Sequence, residues 1–294
     1  MYDLDKDCRQ SFTRIGAAIR KSPQYVKFRV ERLQREKVIQ AVAIIPLLPA
    51  NAVQVCCFIK LRGSEIVEEQ TLLDFLFKMP ESCCVHCCDG QYDILATFFV
   101  AEASRLQVIK ETLMKQFSCI EELFFNSITA NELYTKKYLH SGEQDVLVLK
   151  RETGIPDPFA ARVLLELQKN PFGNLLELSK ALHTTYDKIK YLFSKKTPYQ
   201  GTRLVLSTRL VKKAVLFLDV IVDMDKIMGF ARASPYIIQA DSVLGSHGIA
   251  LYFECLASEE LHRYTKAFLC QFTASIRDHV KLNITTTTKY RWLS

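Results

Sequence analysis

The same series of sequence patterns occurs twice along this chain of 294 residues. Six positions of a helical pattern recur 163 residues later: Ile15, Ala18, Ile19, Ser22, Val26 and Val30 correspond to Leu178, Ala181, Leu182, Thr185, Ile189 and Phe193. Four later positions recur at a distance of 155 residues: Gly90, Ile94, Phe98 and Leu106 correspond to Gly245, Ile249, Phe253 and Leu261. Each set of positions recurs at a constant distance, and the two sets keep the same order in both halves of the chain. This pattern predicts that a two-domain module has been duplicated. The period is much longer than that of a solenoid repeat, so we expect tandem domains.

Each copy begins with a helical pattern. In the first copy, apolar residues recur every three or four positions across 12–19, which predicts an amphipathic helix. Ser22 and Pro23 then begin a second helix, because serine is a favoured N-cap and proline at the first helical position loses no needed hydrogen bond. Strand-forming residues follow at 42–45. Helix, tight turn, helix and strand is the order of a winged helix-turn-helix domain.

After these helices, the pattern in each copy changes to alternating strands and helices. The first copy predicts strands at 53–61, 83–88, 94–101 and 121–129 and helices at 70–78 and 104–116. The second copy predicts strands at 215–222, 237–244, 249–255 and 278–287 and helices at 225–233 and 258–272. This βαββαβ order is ferredoxin-like.

The sequence therefore predicts the α+β class, with two winged helix-turn-helix domains and two ferredoxin-like domains in tandem. We expect a winged helix-turn-helix domain with a truncated first helix at 1–50 and a ferredoxin-like domain at 51–140. We expect a linker and the second winged helix-turn-helix domain at 141–212, and the second ferredoxin-like domain at 213–294. The linker, at 140–157, is predicted to contain one short strand.

The positive charge is concentrated in the two helical segments. Residues 1–50 hold ten Lys and Arg against five Asp and Glu, and residues 141–212 hold twelve against seven. The α+β segments are balanced or acidic, with eight against twelve in 51–140 and nine against eight in 213–294. A localised basic balance favours a polyanionic partner for the helices, although solvated basic faces would give the same count.

Two segments resemble the leucine-responsive regulator/AsnC family of prokaryotic transcription factors. In the first, the resemblance rests on Asp7–Ser11 and on the pattern after it, which consists of Ile15, Ala18, Ser22, Val26, Arg29, Val30, Leu33, Val38 and Ile39. In the second, residues 90–94 (Gly-Gln-Tyr-Asp-Ile) resemble the turn of that family's effector-binding domain. The resemblance implies a cytoplasmic, dimeric or larger DNA-binding regulator whose α+β domains assemble and sometimes bind amino acids.

The chain departs from the family pattern at two places. Only six residues precede Asp7, where the family's first reader helix would lie. The second copy has Gly245-Ser246-His247-Gly248 where the first has Gly90-Gln91-Tyr92-Asp93. We therefore expect an effector only in the first copy, an amino acid bound by Gly90, Tyr92 and Asp93, as the resemblance implies.

The second helix of the first copy is predicted to read double-stranded DNA. The predicted DNA-binding residues are Ser22, Gln24, Tyr25, Lys27, Phe28 and Arg32. On a helical wheel, Gln24 and Phe28 point away from the buried stripe, where they suit adenine and a thymine methyl group. Lys27 and Arg32 lie on the flanks and suit phosphates. Arg29 falls nearer the core, and we expect it to brace the two helices.

The corresponding helix of the second copy is richer in lysine. Its predicted DNA-binding residues are Lys188, Lys190, Tyr191 and Lys195, with Lys180 and Lys196 nearby. Asp187 replaces Gln24, which predicts a different or weaker base preference. Two unlike readers in one chain predict an imperfect palindrome as the target. The alternative is that these helices are degenerate readers that serve only in packing.

The cysteines and histidines predict no catalytic constellation, no metal site and no cofactor. Residues 83–88 (Cys-Cys-Val-His-Cys-Cys) fall on a predicted strand, where Cys84, His86 and Cys88 share a face about 6–7 Å apart. That spacing is too wide for one tetrahedral ion, so we interpret these residues as buried thiols, with a metal or redox role left open. Residues 41–59 carry no charge but are interrupted by Pro46 and Pro49, so we expect no membrane span.

Two other functions remain open. Siroheme decarboxylases are similar in architecture to this regulator family, and some occur as paired subunits, so a tandem chain resembles a fused pair. His247 or His86 would then act near a tetrapyrrole. A subunit that assembles with related regulators without binding DNA is the third possibility. We expect a DNA-binding regulator that is not an enzyme, forms homo-oligomers through its ferredoxin-like domains and resides in the cytoplasm.

Overall fold

A computed structural model describes residues 1–63, 66–140, 145–152, 157–195 and 197–290. Its helices are α1 (Tyr2–Lys6), α2 (Phe12–Ile19), α3 (Pro23–Arg35), α4 (Ile66–Lys78), α5 (Ser104–Gln116), α6 (Pro158–Lys169), α7 (Leu175–Ala181), α8 (Tyr186–Lys195), α9 (Met224–Ala233) and α10 (Ser258–Gln271), with a 3₁₀ turn at Lys137–Leu139. Its strands are β1 (Ile39–Pro46), β2 (Leu48–Pro49), β3 (Val53–Leu61), β4 (Ser82–Gly90), β5 (Ile94–Val100), β6 (Ile120–Tyr134), β7 (Val146–Val148), β8 (Arg151–Glu152), β9 (Tyr199–Leu206), β10 (Lys212–Val220), β11 (Ile237–Leu244), β12 (Ile249–Cys255) and β13 (Ile276–Tyr290).

The chain divides into two compact units, and each takes one part from each copy. The helical unit contains residues 1–50 and 150–210, and the sheet unit contains residues 51–149 and 211–294. The predicted α+β class is confirmed, with a large antiparallel sheet in the sheet unit. Among the described residues, no helix is long and apolar enough to cross a membrane.

Side chains cap three helices of the helical unit, and the cap at Ser22 confirms its prediction. The Ser11 side chain accepts a hydrogen bond from the Arg14 N–H at the start of α2, and the Ser22 side chain accepts one from the Tyr25 N–H at the start of α3. In the second copy, Asn174 and Glu177 form a capping box at the start of α7. A cap of this kind stabilises a helix by about 1 kcal/mol because it pairs an otherwise free N–H group.

The strand that follows α3 pairs with the strand that follows α8. β1 and β9 are antiparallel, with Ile39 opposite Leu206 and Ile45 opposite Gly201. Each copy's first helix also packs on the strand of the other copy. The short helix α1 lies against β9, and the longer helix α6 lies against β1. The Asp5 carboxylate accepts a hydrogen bond of 3.2 Å from the Leu204 N–H, which ties α1 to β9. The two helix-turn-helix segments therefore form one body.

The sheet unit contains a closed ring of eight strands. The strand order is β11-β12-β10-β13-β4-β5-β3-β6, β6 also pairs with β11, and β7 extends the sheet beyond β6. The pairs β4–β13 and β6–β11 join the two copies at equivalent places. Each copy contributes four strands and covers its outer face with two helices.

Alternating side chains divide the sheet unit into three apolar clusters. Val55, Cys57 and Ile59 of β3 face α4 and α5, whereas Cys56 and Phe58 of the same strand face the interior of the ring. In the second copy, an equivalent outer cluster lies under α9 and α10. This alternation is the period of two that a strand imposes on its side chains.

Two strands extend beyond their predicted ends. β6 continues to Tyr134 and β13 to Tyr290, past the predicted ends at 129 and 287. The added residues pair with the opposite copy, as with Glu132 opposite Ala240 and Lys289 opposite Val85. The described part of the predicted linker contains two short strands, β7 and β8, instead of one. Residues 141–144 and 153–156 of that linker lie outside the described residues.

Candidate nucleic-acid interface

The α3 helix has a buried stripe and an exposed face of basic and aromatic side chains. Val26 and Val30 are buried, and the exposed residues include all the predicted readers after the cap, which are Gln24, Tyr25, Lys27, Phe28 and Arg32. Phe28 is 54% exposed, so its ring is available to a partner. The expectation that Arg29 braces the two helices is wrong, because Arg29 is exposed and adds to this basic face.

Two of the basic residues on α3 form ion pairs along the helix. Lys27 lies 3.8 Å from Glu31, and the Arg32 guanidinium donates to Glu36 over 2.7 Å. All four side chains are about half exposed or more. Such surface pairs are worth about 0.3–0.5 kcal/mol, so a phosphate can replace the carboxylate at little cost. The Lys21 ammonium lies 5.8 Å from the Tyr25 ring and places a third cation at the helix start.

The α8 helix presents the second face. Ile189 is buried, whereas the predicted residues Lys188, Lys190, Tyr191 and Lys195 are exposed. The Lys188 ammonium lies 4.2 Å from the ring of Phe159 on α6, and the Lys195 ammonium lies 5.9 Å from the Tyr191 ring. Lys196 lies outside the described residues. Both α3 and α8 therefore carry exposed cations together with an exposed aromatic ring.

The turn predicted to hold an effector lies where the two copies meet in the sheet unit. Gly90 has φ = +147°, and a Cβ there would lie 2.6 Å from the carbonyl oxygen of Lys281 on β13. The Asp93 carboxylate accepts a hydrogen bond of 2.7 Å from the Leu61 N–H. The Tyr92 ring is buried and lies 5.3 Å from the Phe58 ring. All three predicted effector residues thus make contacts that hold the turn.

The second copy has the same turn with different residues. Gly245 also has φ = +147°, and a Cβ there would collide with the side chain of Asn126 on β6. His247 occupies the position of Tyr92 and is buried, with its ring 5.8 Å from Phe217. Burial lowers the pKa of His247, which favours its neutral form. The rings of both turns lie near the Phe58 ring, so an aromatic cluster lies at the seam between the copies.

The cysteine-rich strand brings two side chains closer than its Cα spacing predicts. Cys84 Sγ lies 2.9 Å from His86 Nε2, and His86 Nδ1 lies 2.9 Å from Thr287 Oγ1. The expectation that Cys84 and His86 stand 6–7 Å apart is therefore wrong for their terminal atoms, because that spacing applies to Cα atoms and the two side chains lean towards each other. Within the described ranges, no group of three or more His, Cys, Asp or Glu side chains is arranged to hold a metal ion.

His86 is held as a neutral imidazole. Burial, assisted by the charge of Lys213, lowers its pKa to about 3. Burial also raises the pKa values of Cys56, Cys83 and Cys88 to about 12, so these thiols stay protonated. A thiol of this kind is a poor nucleophile and a poor metal ligand.

Sequence reasoning missed a buried ion-pair network in the sheet unit. Glu254 on β12 accepts from the Lys136 ammonium over 2.6 Å and lies 3.7 Å from the Lys213 ammonium, and Tyr138 also donates to it. Burial alone would raise the pKa of Glu254, but Lys136 and Lys213 outweigh it and lower the pKa to about 2. The sequence feature that could have predicted this network is the single carboxylate, Glu254, in the otherwise apolar strand 249–255. Breaking such a pair typically costs about 3–5 kcal/mol.

Comparisons with known proteins support the fold. The sequence matches no family model and no curated protein. The crystal structure of the siroheme decarboxylase NirDL matches with a TM-score of 0.59 and 12% identity, over 98% of this chain and 90% of that one. NirDL in complex with an iron-uroporphyrin III analogue matches with a TM-score of 0.58 and 12% identity, over 99% and 91%. The structure of E. coli AsnC matches with a TM-score of 0.40 and 14% identity, over 47% of this chain and 97% of that one. At 12% identity, the likeness to NirDL shows a shared fold of winged helix-turn-helix and ferredoxin-like domains.

Proposed function

We propose that this protein is a sequence-specific DNA-binding regulator of transcription. The observation that carries the proposal is the pair of helices α3 and α8, each of which exposes cations beside an aromatic ring on the side away from its buried residues. Ser22 caps the start of α3, and the Thr185 side chain accepts a hydrogen bond from the Lys188 N–H at the start of α8. The helical unit also carries the charge excess, since residues 1–50 and 141–212 hold 22 Lys and Arg against 12 Asp and Glu. Affinity for DNA rests on such phosphate-binding cations.

The two helices are unlike, so we assign them different roles. Gln24 on α3 forms two hydrogen bonds with an adenine edge, and Phe28 packs on a thymine methyl group. The lysines of α8 bind phosphates, which give affinity and orientation without reading the sequence. Because β1 and β9 join the readers in one unit, a single chain spans two unlike half-sites. The expected operator is an imperfect palindrome.

Two substitutions on α3 separate base reading from phosphate binding. Gln24→Ala should relax sequence preference at one position and cost about 1–3 kcal/mol on the preferred site. Lys27→Ala should weaken binding to all sequences alike and reduce the salt slope by about 1. The matched control is Lys115→Ala on α5, which removes an exposed lysine from the sheet unit. Wild-type binding by both α3 variants would show that α3 is not the reader.

A small effector at Gly90, Tyr92 and Asp93 is the second part of the proposal. Its support is the resemblance of residues 90–94 to an effector-binding turn, at a seam where both copies contribute residues. Isothermal titration of the folded protein with the common amino acids tests it. No heat from any of them would remove the effector at this turn while leaving DNA binding unaffected.

An enzyme similar to siroheme decarboxylase is the competing function. Two observations favour it: the fold likeness to NirDL along nearly the whole chain, and two buried neutral histidines, His86 and His247, in the sheet unit. Against it, the rings of Phe58 and Phe217 pack near His247 in the interior of the ring of strands. Titration with iron uroporphyrin III, followed by its absorption band, tests this alternative. A band shift that His247→Ala abolishes would favour the enzyme, and a partner subunit without DNA binding would show neither activity.

A further inference from the structure

The sheet of the sheet unit has one open edge within the described residues, and β7 forms it. The other eight strands close a ring, in which each strand pairs with at least two neighbours, whereas β7 pairs with β6 alone. An open edge presents backbone N–H and C=O groups with which another strand can pair. The outer edge of β7 is therefore the place where this sheet can accept a further strand.

The hydrogen bonds to β6 show which backbone groups of β7 point outward. The Asp145 carbonyl accepts from the Thr135 N–H over 3.1 Å, and the Leu149 N–H donates to a carbonyl of β6 over 3.0 Å. In an antiparallel pair, successive residues direct their backbone groups to opposite sides of the strand. The N–H and C=O groups of Val146 and Val148 therefore point away from β6, towards the open edge.

The side chains along this edge are apolar and accessible. Val146 is 41% exposed and Val148 is 50% exposed, and both lie on the same face of the strand. No charged residue occurs between Asp145 and Lys150. Proteins commonly protect an open edge with charged side chains, which resist pairing with another strand, and β7 has none at its paired positions. The edge thus offers apolar surface together with backbone hydrogen-bonding groups.

We propose that β7 pairs antiparallel with the β7 of a second copy of this chain, about a twofold axis at Leu147. In this register, Val146 of each copy lies opposite Val148 of the other. Because these are the residues whose backbone groups point outward, each valine donates one hydrogen bond and accepts one. The opposed valines also pack side by side on one face, which buries their exposed surface.

The charges at the two ends of β7 favour a second copy as the partner. Asp145 precedes the strand and Lys150 follows it, and both are exposed. Antiparallel pairing brings the acidic end of one strand beside the basic end of the other, so the strand is complementary to itself in charge as well as in hydrogen bonding. Such a contact uses the same edge of both chains, so association stops at the dimer.

Sedimentation equilibrium of the full-length protein tests the proposal, over concentrations from about 1 μM to about 1 mM. A monomer–dimer equilibrium without larger species is expected, and it is expected to be weak because the strand is short. A monomer at every concentration, or continued growth beyond the dimer, overturns the proposal. No DNA is used, so failure of the dimer leaves the proposed regulatory function intact.

Two substitutions of Val148 assign the dimer contact to β7. Val148→Lys places a charge in each valine pair and should lower the association constant at least ~10-fold. Val148→Pro removes the outward N–H, leaves the hydrogen bonds to β6 in place and should abolish the dimer. Val108→Lys is the matched control, because Val108 is 48% exposed on α5, away from this edge, and it should associate like the wild type. Wild-type association of both folded Val148 variants, with folding checked by urea unfolding, overturns the proposal.

Discussion

At the scale of single residues, the sequence pattern predicted which side chains are exposed better than it predicted which side chains touch. A helical wheel correctly placed Gln24 and Phe28 on the exposed face of α3. It failed for Arg29, because a wheel does not show how far the neighbouring helix extends, and α2 has 8 residues against 13 in α3. The spacing along a strand could not show that Cys84 meets His86, because the contact depends on how the two side chains lean and not on the distance between their Cα atoms.

His86 should make the stability of the protein depend on pH. Its pKa is about 3 in the folded chain and 6.5 as the ordinary value, so below pH 6.5 the unfolded chain binds a proton that the folded one does not. The stabilisation is complete above pH 6.5 and is lost as pH falls towards 3. The free energy of unfolding should drop by about 2 kcal/mol between pH 6.5 and 5, at about 1.4 kcal/mol per pH unit, and buried His247 adds to the drop in the same direction.

Urea unfolding at a series of pH values measures this slope. His86→Gln keeps a hydrogen-bonding group beside Thr287 but does not titrate, so it should flatten the slope. His262→Gln is the control, because His262 is exposed on α10. An unchanged slope in the His86 variant would contradict a neutral His86 in the folded protein.

At the scale of elements, the sequence predicted the helices and strands of the ferredoxin-like order but not how the copies pair. The predicted strand at 53–61 coincides with β3. The ends of β6 and β13 were missed because their last residues are held by strands of the other copy, more than 100 residues away in sequence. Local periodicity contains no information on such partners.

The turn after β4 should tolerate only glycine. Gly90→Ala puts a Cβ into the Lys281 carbonyl at a positive φ, and it should lower the free energy of unfolding by about 2 kcal/mol or more. Gly229 on α9 is the opposite case, because a Cβ there meets nothing within 4 Å. Gly229→Ala should therefore stabilise the protein by up to about 1 kcal/mol. Equal effects of the two substitutions on the free energy of unfolding in urea would contradict the claim that the turn at Gly90 requires glycine.

At the scale of the whole molecule, the duplication was visible in the sequence, but the exchange between the copies was not. The four predicted segments follow one another along the chain, whereas each compact unit combines parts of both copies. The pairs β1–β9, β4–β13 and β6–β11 join strands of the two copies within one chain. Homo-oligomerisation through the ferredoxin-like domains stays a prediction, which sedimentation of the full chain tests. It would use the outer helical faces or the outer edge of β7, since each of the eight ring strands pairs with two neighbours.

The most direct test of the central claim is binding to random-sequence duplex DNA across a salt series, with the visible absorption spectrum recorded beforehand. The proposed regulator predicts a colourless protein whose affinity falls linearly on a double-logarithmic plot, with a slope of about −0.9 for each phosphate neutralised. Binding without salt dependence, or no binding, would contradict it. A porphyrin-like band together with no DNA binding would instead support the enzyme.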